Sequence, residues 1–295
     1  MELARRPRSR AWQSAIGLLL LLTSVHVNAS DFMPETPIPG YDHDRFVTWP
    51  RDIVVNTTPF MASFDSEDDG ISLGVPEFVA YEMRRYGSSL KKSPKRPSPW
   101  ITDKAMYQAG IAPGDASYKY SRAFRNNNPN WYDRGHLCAQ VHAWRLGRAA
   151  SWNTHTVFNA VPQRHAFNAG IWKNLEEHTA QWAEEYGRIW VITGPIFLSD
   201  PPEEFIGEAA KGEMRVAVPD ALFKIVIREE DEDIEVLGFI YPQLGVGLKK
   251  GPFDHAPYLH SVDEIEAQTG LNFLSVFPES LQTQLEAVAA TQVWP

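Results

Sequence analysis

The chain has 295 residues, of which 43% are hydrophobic and 22% charged, with a formal net charge of −9. This is the composition of a globular protein with core enough for one large domain or two small ones, and it excludes collagen-like, coiled-coil and wholly disordered chains. A single cysteine, Cys138, leaves no partner for an internal disulfide, so the fold must rest on its core.

The first 29 residues read as a signal peptide. Arg5, Arg6, Arg8 and Arg10 precede an apolar run over residues 15–25, and Val27-Asn28-Ala29 offers the small residues of a cleavage site. A run of about eleven residues is too short to cross a bilayer core of roughly 30 Å. The processed protein is therefore expected in the periplasm or secreted, with no membrane attachment. A mitochondrial presequence, equally Arg-rich and acid-poor, is the competing reading. Losing four Arg and one Glu takes the net charge from −9 to −12. The charge is uneven, however. Lys91, Lys92, Lys95 and Arg96 form a basic run, and Arg122, Arg125, Arg134, Arg145, Arg148 and Arg164 follow. Acids gather at 65–69 and 229–233, which read as solvated turns.

Residues 30–75 are rich in Pro, Asp and Thr with weak periodicity and read as an extended N-terminal segment. One domain is expected over 76–295. It opens with a strand at 76–86, marked by Phe78-Val79-Ala80-Tyr81. A basic, Pro-stiffened loop follows over 88–99, then turns at Pro113-Gly114 and at Asn126 to Pro129. A short strand is predicted at 156–160. Trp172, Leu175, Thr179, Trp182 and Tyr186 recur at three and four, predicting a helix over 167–186 that Gly187 ends. Strands are predicted at 188–197, 216–218, 222–227 and 236–241. A Ser-capped helix over 261–269 ends at Gly270.

The densest chemistry lies in Tyr132-Asp133-Arg134-Gly135-His136-Leu137. Hydrolysis of a phosphodiester calls for a base, a cation for the developing charge, and help for the leaving oxygen. A neutral imidazole suits the first task near pH 7. Magnesium takes oxygen ligands and keeps several waters, so one or two protein oxygens are enough. Asn159 to Gln163, Asn168, Trp172 and Glu176 supply such groups, and Asn168 and Glu176 are spaced to look toward one side of a helix. Each residue also has a plainer role. Asn168 suits a helix cap, Asn159 a turn, and Glu176 a solvated helix face. Arg134 suits an ion pair with Asp133 or a distant acid, Trp172 packing, and Cys138 a buried small hydrophobe. His142, His155, His165 and His178 lack the spacing of a zinc enzyme.

Taken in order, these pieces resemble the DNA/RNA non-specific endonucleases, the group that includes the Serratia nuclease and endonuclease G. That family carries Asp-Arg-Gly-His followed by Asn-x-x-Pro-Gln and then Asn, Trp and Glu. Here they stand as Asp133 to His136, Asn159 to Gln163, Asn168, Trp172 and Glu176. Further likenesses are Val191 to Pro195, Val218-Pro219 with Phe223-Lys224, and Ser261 to Glu266 with Thr269-Gly270, the last nearest the endonuclease G branch. The resemblance covers roughly residues 76–275. It implies an α+β, ββα-metal (His-Me finger) fold with a central, mainly antiparallel sheet. It also implies a Mg²⁺ or Mn²⁺ ion, DNA and RNA as substrates, and room for a homodimer. His136 would be the general base, Asn168 the direct metal ligand, and Glu176 the holder of metal-bound water. Arg134 would stabilise phosphate charge, and Asn159 would orient His136 or the substrate. Ala180 departs from the family, which tends to carry Arg there, so Arg164 or Lys173 would serve instead. A binding protein of the same fold without turnover, or an exonuclease or nucleotide phosphodiesterase, are the alternatives.

Overall fold

Successive side chains of a strand point to opposite faces, and in the central strands of this chain both faces are apolar. The computed structural model describes residues 31–47, 53–64, 73–86, 95–119, 131–230, 233–243 and 251–295. The signal peptide, the acids at 65–69, Lys91, Lys92, Arg122, Arg125 and the turn at 126–129 lie outside them.

The strands are β1 (Ile53–Asn56), β2 (Met61–Phe64), β3 (Pro76–Arg84), β4 (Tyr132–His136), β5 (Ala160–Arg164) and β6 (Arg188–Ile196). They continue as β7 (Phe205–Ile206), β8 (Val216–Ala217), β9 (Ala221–Glu230), β10 (Asp233–Pro242) and β11 (Leu259–His260). Seven form one sheet in the order β1-β2-β3-β6-β9-β10-β11, with every neighbouring pair antiparallel. The other two pairs, β4 with β5 and β7 with β8, are separate ribbons.

One face of the large sheet presents Val79, Tyr81, Ile189, Val191, Leu222, Val226, Leu237 and Phe239 to a core that includes Leu175, Trp182 and Ala183. Those last three belong to helix α4 (Lys173–Tyr186), which follows three short helices, α1 (Lys104–Gln108), α2 (Gln140–Leu146) and α3 (Arg148–Asn153). The other face presents Phe78, Trp190, Ile192, Phe223, Ile225 and Ile240 to Val262, Ile265 and Phe273. Val262 and Ile265 come from α5 (Val262–Thr269), which contacts α6 (Glu279–Glu286). The sheet is thus covered on both sides, which explains why its strands read as near-continuous apolar runs. Trp182 stacks on Phe239 and meets Trp294 edge-on. Burying a side chain of this kind contributes roughly 1.5–3 kcal/mol.

The punctuation read from the sequence is where the helices stop and start. Gly187 ends α4 at φ 83°, a conformation that costs glycine nothing. Ser261 and Glu264 form a capping box on α5, and Gly270 closes it at φ 71°. The predicted strands at 76–86, 188–197, 222–227 and 236–241 fall on β3, β6, β9 and β10. Three differences stand out. Within the segment read as an extended lead-in, residues 53–56 and 61–64 form β1 and β2, which pair onto β3. The strand placed at 156–160 is instead a 3-10 turn over Val157–Asn159, and pairing begins at Ala160. The helix placed from 167 starts at His165 and passes through a wide π-type turn, Asn168–Trp172, before α4. Gly170 departs from helical angles within that turn (φ −110°, ψ −111°).

Candidate active site

The β4–β5 ribbon runs directly into that helical stretch, giving two strands and then a helix. In its register Asp133 faces Gln163, Gly135 faces Val161 and His136 faces Ala160. Gly135 is required by close packing, since a Cβ there would sit 2.1 Å from the Gln163 side chain. Two ties dock the helical stretch onto β4. Asn168 Nδ2 donates to Asp133 Oδ2 at 3.0 Å, and Trp172 Nε1 donates to the His136 carbonyl at 3.3 Å. The wide turn carries residues 168 and 172 between these two anchors, and such turns recur at functional sites.

Asp133 is the hub of the first anchor. Besides Asn168 it accepts from His165 Nδ1 at 2.7 Å and from Trp131 Nε1 at 3.2 Å. His165 and Trp131 also stack on each other. A carboxylate can only accept, so it fixes which end of the Asn168 amide points at it. The carbonyl oxygen of Asn168 is thereby left as the end available to a cation.

His136 lies with its ring 4.7 Å from Trp100 and 4.9 Å, edge to face, from His155. Its Nε2 is enclosed and has no hydrogen-bond partner. Burial, reinforced by His155, Arg96 and Arg134, pushes this imidazole well below its usual range, so it is neutral at pH 7 with a lone pair to offer. His155 is likewise pushed down to about 4, mainly by burial.

Arg134 pairs with the buried carboxylate of Asp115, not with Asp133, and lies over the Trp100 ring at 5.2 Å. Its side chain keeps 27% of its surface exposed. Asn159 is fully buried. Its Oδ1 accepts from Cys138 N at 2.7 Å, and its Nδ2 donates to the carbonyls of Cys138 and Thr154. Its amide bonds fix the backbone two residues after His136.

Glu176 opens α4 and is half-buried, and burial raises its pKa against the opposing charge of Lys224. Lys224 is completely buried in β9, and burial lowers its pKa against the pull of Glu176. Of the cations expected to stand in at Ala180, Lys173 is paired with Glu177 at 2.5 Å, and Arg164 lies over the Tyr132 ring. Arg145, paired with Glu184, lines the same shallow concavity as Ala180. Among the described residues, His142, His155, His165 and His178 form no metal-ligating group. Among these described residues, the one cluster of three such side chains is Asp263, Glu266 and Glu286.

Sequence reasoning missed Asp115 and Trp100, weighed His155 only as a zinc ligand, and noted Lys224 only as part of a family likeness. Trp100, on a loop, and Asp115, which opens a 3-10 turn over Asp115–Tyr118, are brought in with no motif of their own. Lys224 had a visible signal, a lysine interrupting the apolar run of β9.

The sequence profile of the DNA/RNA non-specific endonuclease family matches residues 45–280. Bovine mitochondrial endonuclease G is 29% identical over 66% of this chain and 66% of its own length. A nuclease of the cyanobacterium Nostoc is 27% identical over 73% of each chain. The mitochondrial nuclease EXOG of Danio rerio is 26% identical over 55% of this chain and 48% of its own. The chain thus spans about two thirds of the length of bovine endonuclease G and about half that of the Danio EXOG. A crystal structure of an EndoG/EndoGI complex superposes with a TM-score of 0.58 at 22% identity, covering 82% of this chain and 89% of that one. The fold is accordingly the α+β, ββα-metal nuclease fold. With a profile match across most of its length, and the Asp133-to-His136 motif on the first strand of that ββα unit, this chain belongs to the DNA/RNA non-specific endonuclease family.

Proposed function

We propose that this protein is a Mg²⁺-dependent, sugar-non-specific endonuclease that hydrolyses phosphodiester bonds of DNA and RNA, with His136 as general base. The observation that carries the reading is the state of His136. It is a neutral imidazole whose Nε2 is enclosed and unpartnered, on a strand docked at two points to the helix bearing Asn168 and Glu176. Such a group takes the proton of an attacking water, and positioned base catalysis contributes about 10²–10⁴-fold.

The donor set fits a hard cation. Asn168 offers a carbonyl oxygen oriented by Asp133, and Glu176 offers a carboxylate, both oxygen ligands of the kind magnesium prefers. Bound there, the ion would supply positive charge for the transition state and the leaving oxygen. Arg134, tethered by Asp115, keeps enough exposed surface to meet a phosphate. Asn159 holds the chain that follows the base. The N-terminal pattern supports export to the periplasm or medium. Mitochondrial relatives make a presequence the alternative, and N-terminal sequencing of the mature protein separates the two.

The test is cleavage of closed circular plasmid and of single-stranded RNA by the purified protein with Mg²⁺, beside His136→Ala. Nicking of the circle and RNA cleavage are expected from the wild type, with a loss of at least about 10²-fold in the variant. A wild type that binds nucleic acid yet leaves both substrates intact, or a variant that cuts as fast, ends the reading.

A further inference from the structure

Residue 224 stands where the sheet calls for an apolar side chain. On β9, Leu222 and Val226 point into the α4-side core, and Lys224 lies between them, pairing with Thr193 on one side and Phe239 on the other. It is completely buried, and its Nζ has no hydrogen-bond acceptor. An ammonium so placed has lost its water without gaining a full partner, one of the more costly arrangements a core can hold. Methionine would fill the same space at no such cost.

The ammonium sits 4.5 Å over the Trp172 ring. That indole is a node of the site, because its one N–H donates to the His136 carbonyl and its ring stands at the end of the turn that leads into the helix bearing Glu176. A cation over an indole face in a desolvated pocket is held more firmly than on a surface, and its field on a nearby carboxylate is barely screened there. The indole that anchors the strand of the base and the carboxylate that opposes this charge therefore share one buried ammonium.

We propose that Lys224 is a positioning residue of the active site, holding the Trp172 indole and the Glu176 carboxylate in register with His136 from within the sheet. This rests on the nuclease reading above and adds to it a residue that touches neither substrate nor metal. The cost of the stranded charge is a reason to expect that stability and activity will part company when it is removed.

The experiment compares wild type, Lys224→Met, Glu176→Gln and the double variant for kcat and KM on a defined oligonucleotide with Mg²⁺, and for thermal midpoint. Lys224→Met is expected to melt at the wild-type temperature or above it. Its kcat is expected to fall by about 10–100-fold, the range seen when residues supporting a metal site are lost, with KM little changed. In the Glu176→Gln background the same change should cost less than about twofold, since residues acting through one another are not additive. Lys224→Gln should repeat the pattern with a side chain of different polarity. The proposal is overturned if Lys224→Met cuts at the wild-type rate, or if activity falls only in step with stability. It is also overturned if the two losses multiply in the double variant, or if neither neutral variant folds, which would make Lys224 a structural staple. An inert wild type would instead sink the nuclease reading itself.

Discussion

The large sheet and the β4–β5 ribbon with its helix treat buried polar groups in opposite ways. In the sheet the buried polar side chains are partnered, Lys224 on β9 excepted. Thr193 Oγ1 donates to the Phe223 carbonyl at 2.7 Å, and Glu82 is held by Arg84, Arg188 and the Asp42 amide. Around the ribbon, His136 Nε2, His155 Nε2 and both amide atoms of Gln163 are enclosed without partners, and Lys224 Nζ meets the same helix from the sheet side. Native cores contain few such atoms, and several of those among the described residues gather here, with others at Glu35, Ser199 and Glu286. The difference teaches where stability is generated and where it is given up. The sheet and its two apolar cores hold the fold, and the ribbon keeps reactive groups unsatisfied so that they are free to act.

That contrast can be broken at several points. The largest effect should come from the sheet side. Trp182→Ala, which removes the ring stacked on Phe239, is expected to lower unfolding free energy by about 3–5 kcal/mol, measured by urea denaturation. A loss below about 1 kcal/mol would mean that the α4-side core does not anchor the fold. Next comes the hub of the ribbon. Asp133→Ala removes the acceptor for Asn168, His165 and Trp131, and cleavage should slow by about 10–100-fold, with the loss read against a thermal midpoint close to wild type. A variant as active as wild type would show that Asn168 is oriented by something else.

The buried imidazoles set the third effect. Burial pushes His142 down to about 3 and His155 to about 4, so the native state holds them neutral. Below pH 6.5 the unfolded chain takes up protons that the native one refuses, so stability is full above that value and falls as the pH drops toward 4. At pH 5 the loss is roughly 2 kcal/mol for each such imidazole, and a denaturation midpoint equal at pH 7 and pH 5 would contradict it. The smallest effect should be Lys173→Ala. This breaks an exposed pair with Glu177 and should shift stability by less than about 0.5 kcal/mol. A larger shift, or a clear loss of cleavage, would bring Lys173 into the site.

Legibility followed the same divide. β3, β6, β9 and β10 were readable because two-sided burial writes long apolar runs, and α4 because Trp172, Leu175, Thr179 and Trp182 repeat at helical spacing. β1 and β2 were not, since four residues are too few to show a period, and their identity comes from pairing onto β3. The site was readable as residue types in order. Its geometry was not. Arg134 took Asp115 as partner across a separation that no local pattern encodes. Asn168 entered a wide turn instead of capping a helix, because Gly170 permits backbone angles that an ordinary helix does not use. Asn159 read as a turn residue or as a group orienting His136 or the substrate, and its amide turns out to bond the backbone of Cys138 and Thr154.

Cys138 gives this molecule a probe that needs no engineering. The thiol is fully buried two residues beyond His136, burial raises its pKa well above the free value, and the Asn159 amide clamps its backbone on both sides. A thiol-specific dye added to the folded protein can therefore label it only during moments when that clamp lets go. The labelling rate, followed with and without magnesium, becomes a clock for how often the stretch beside the base comes apart and for how far the cation slows it.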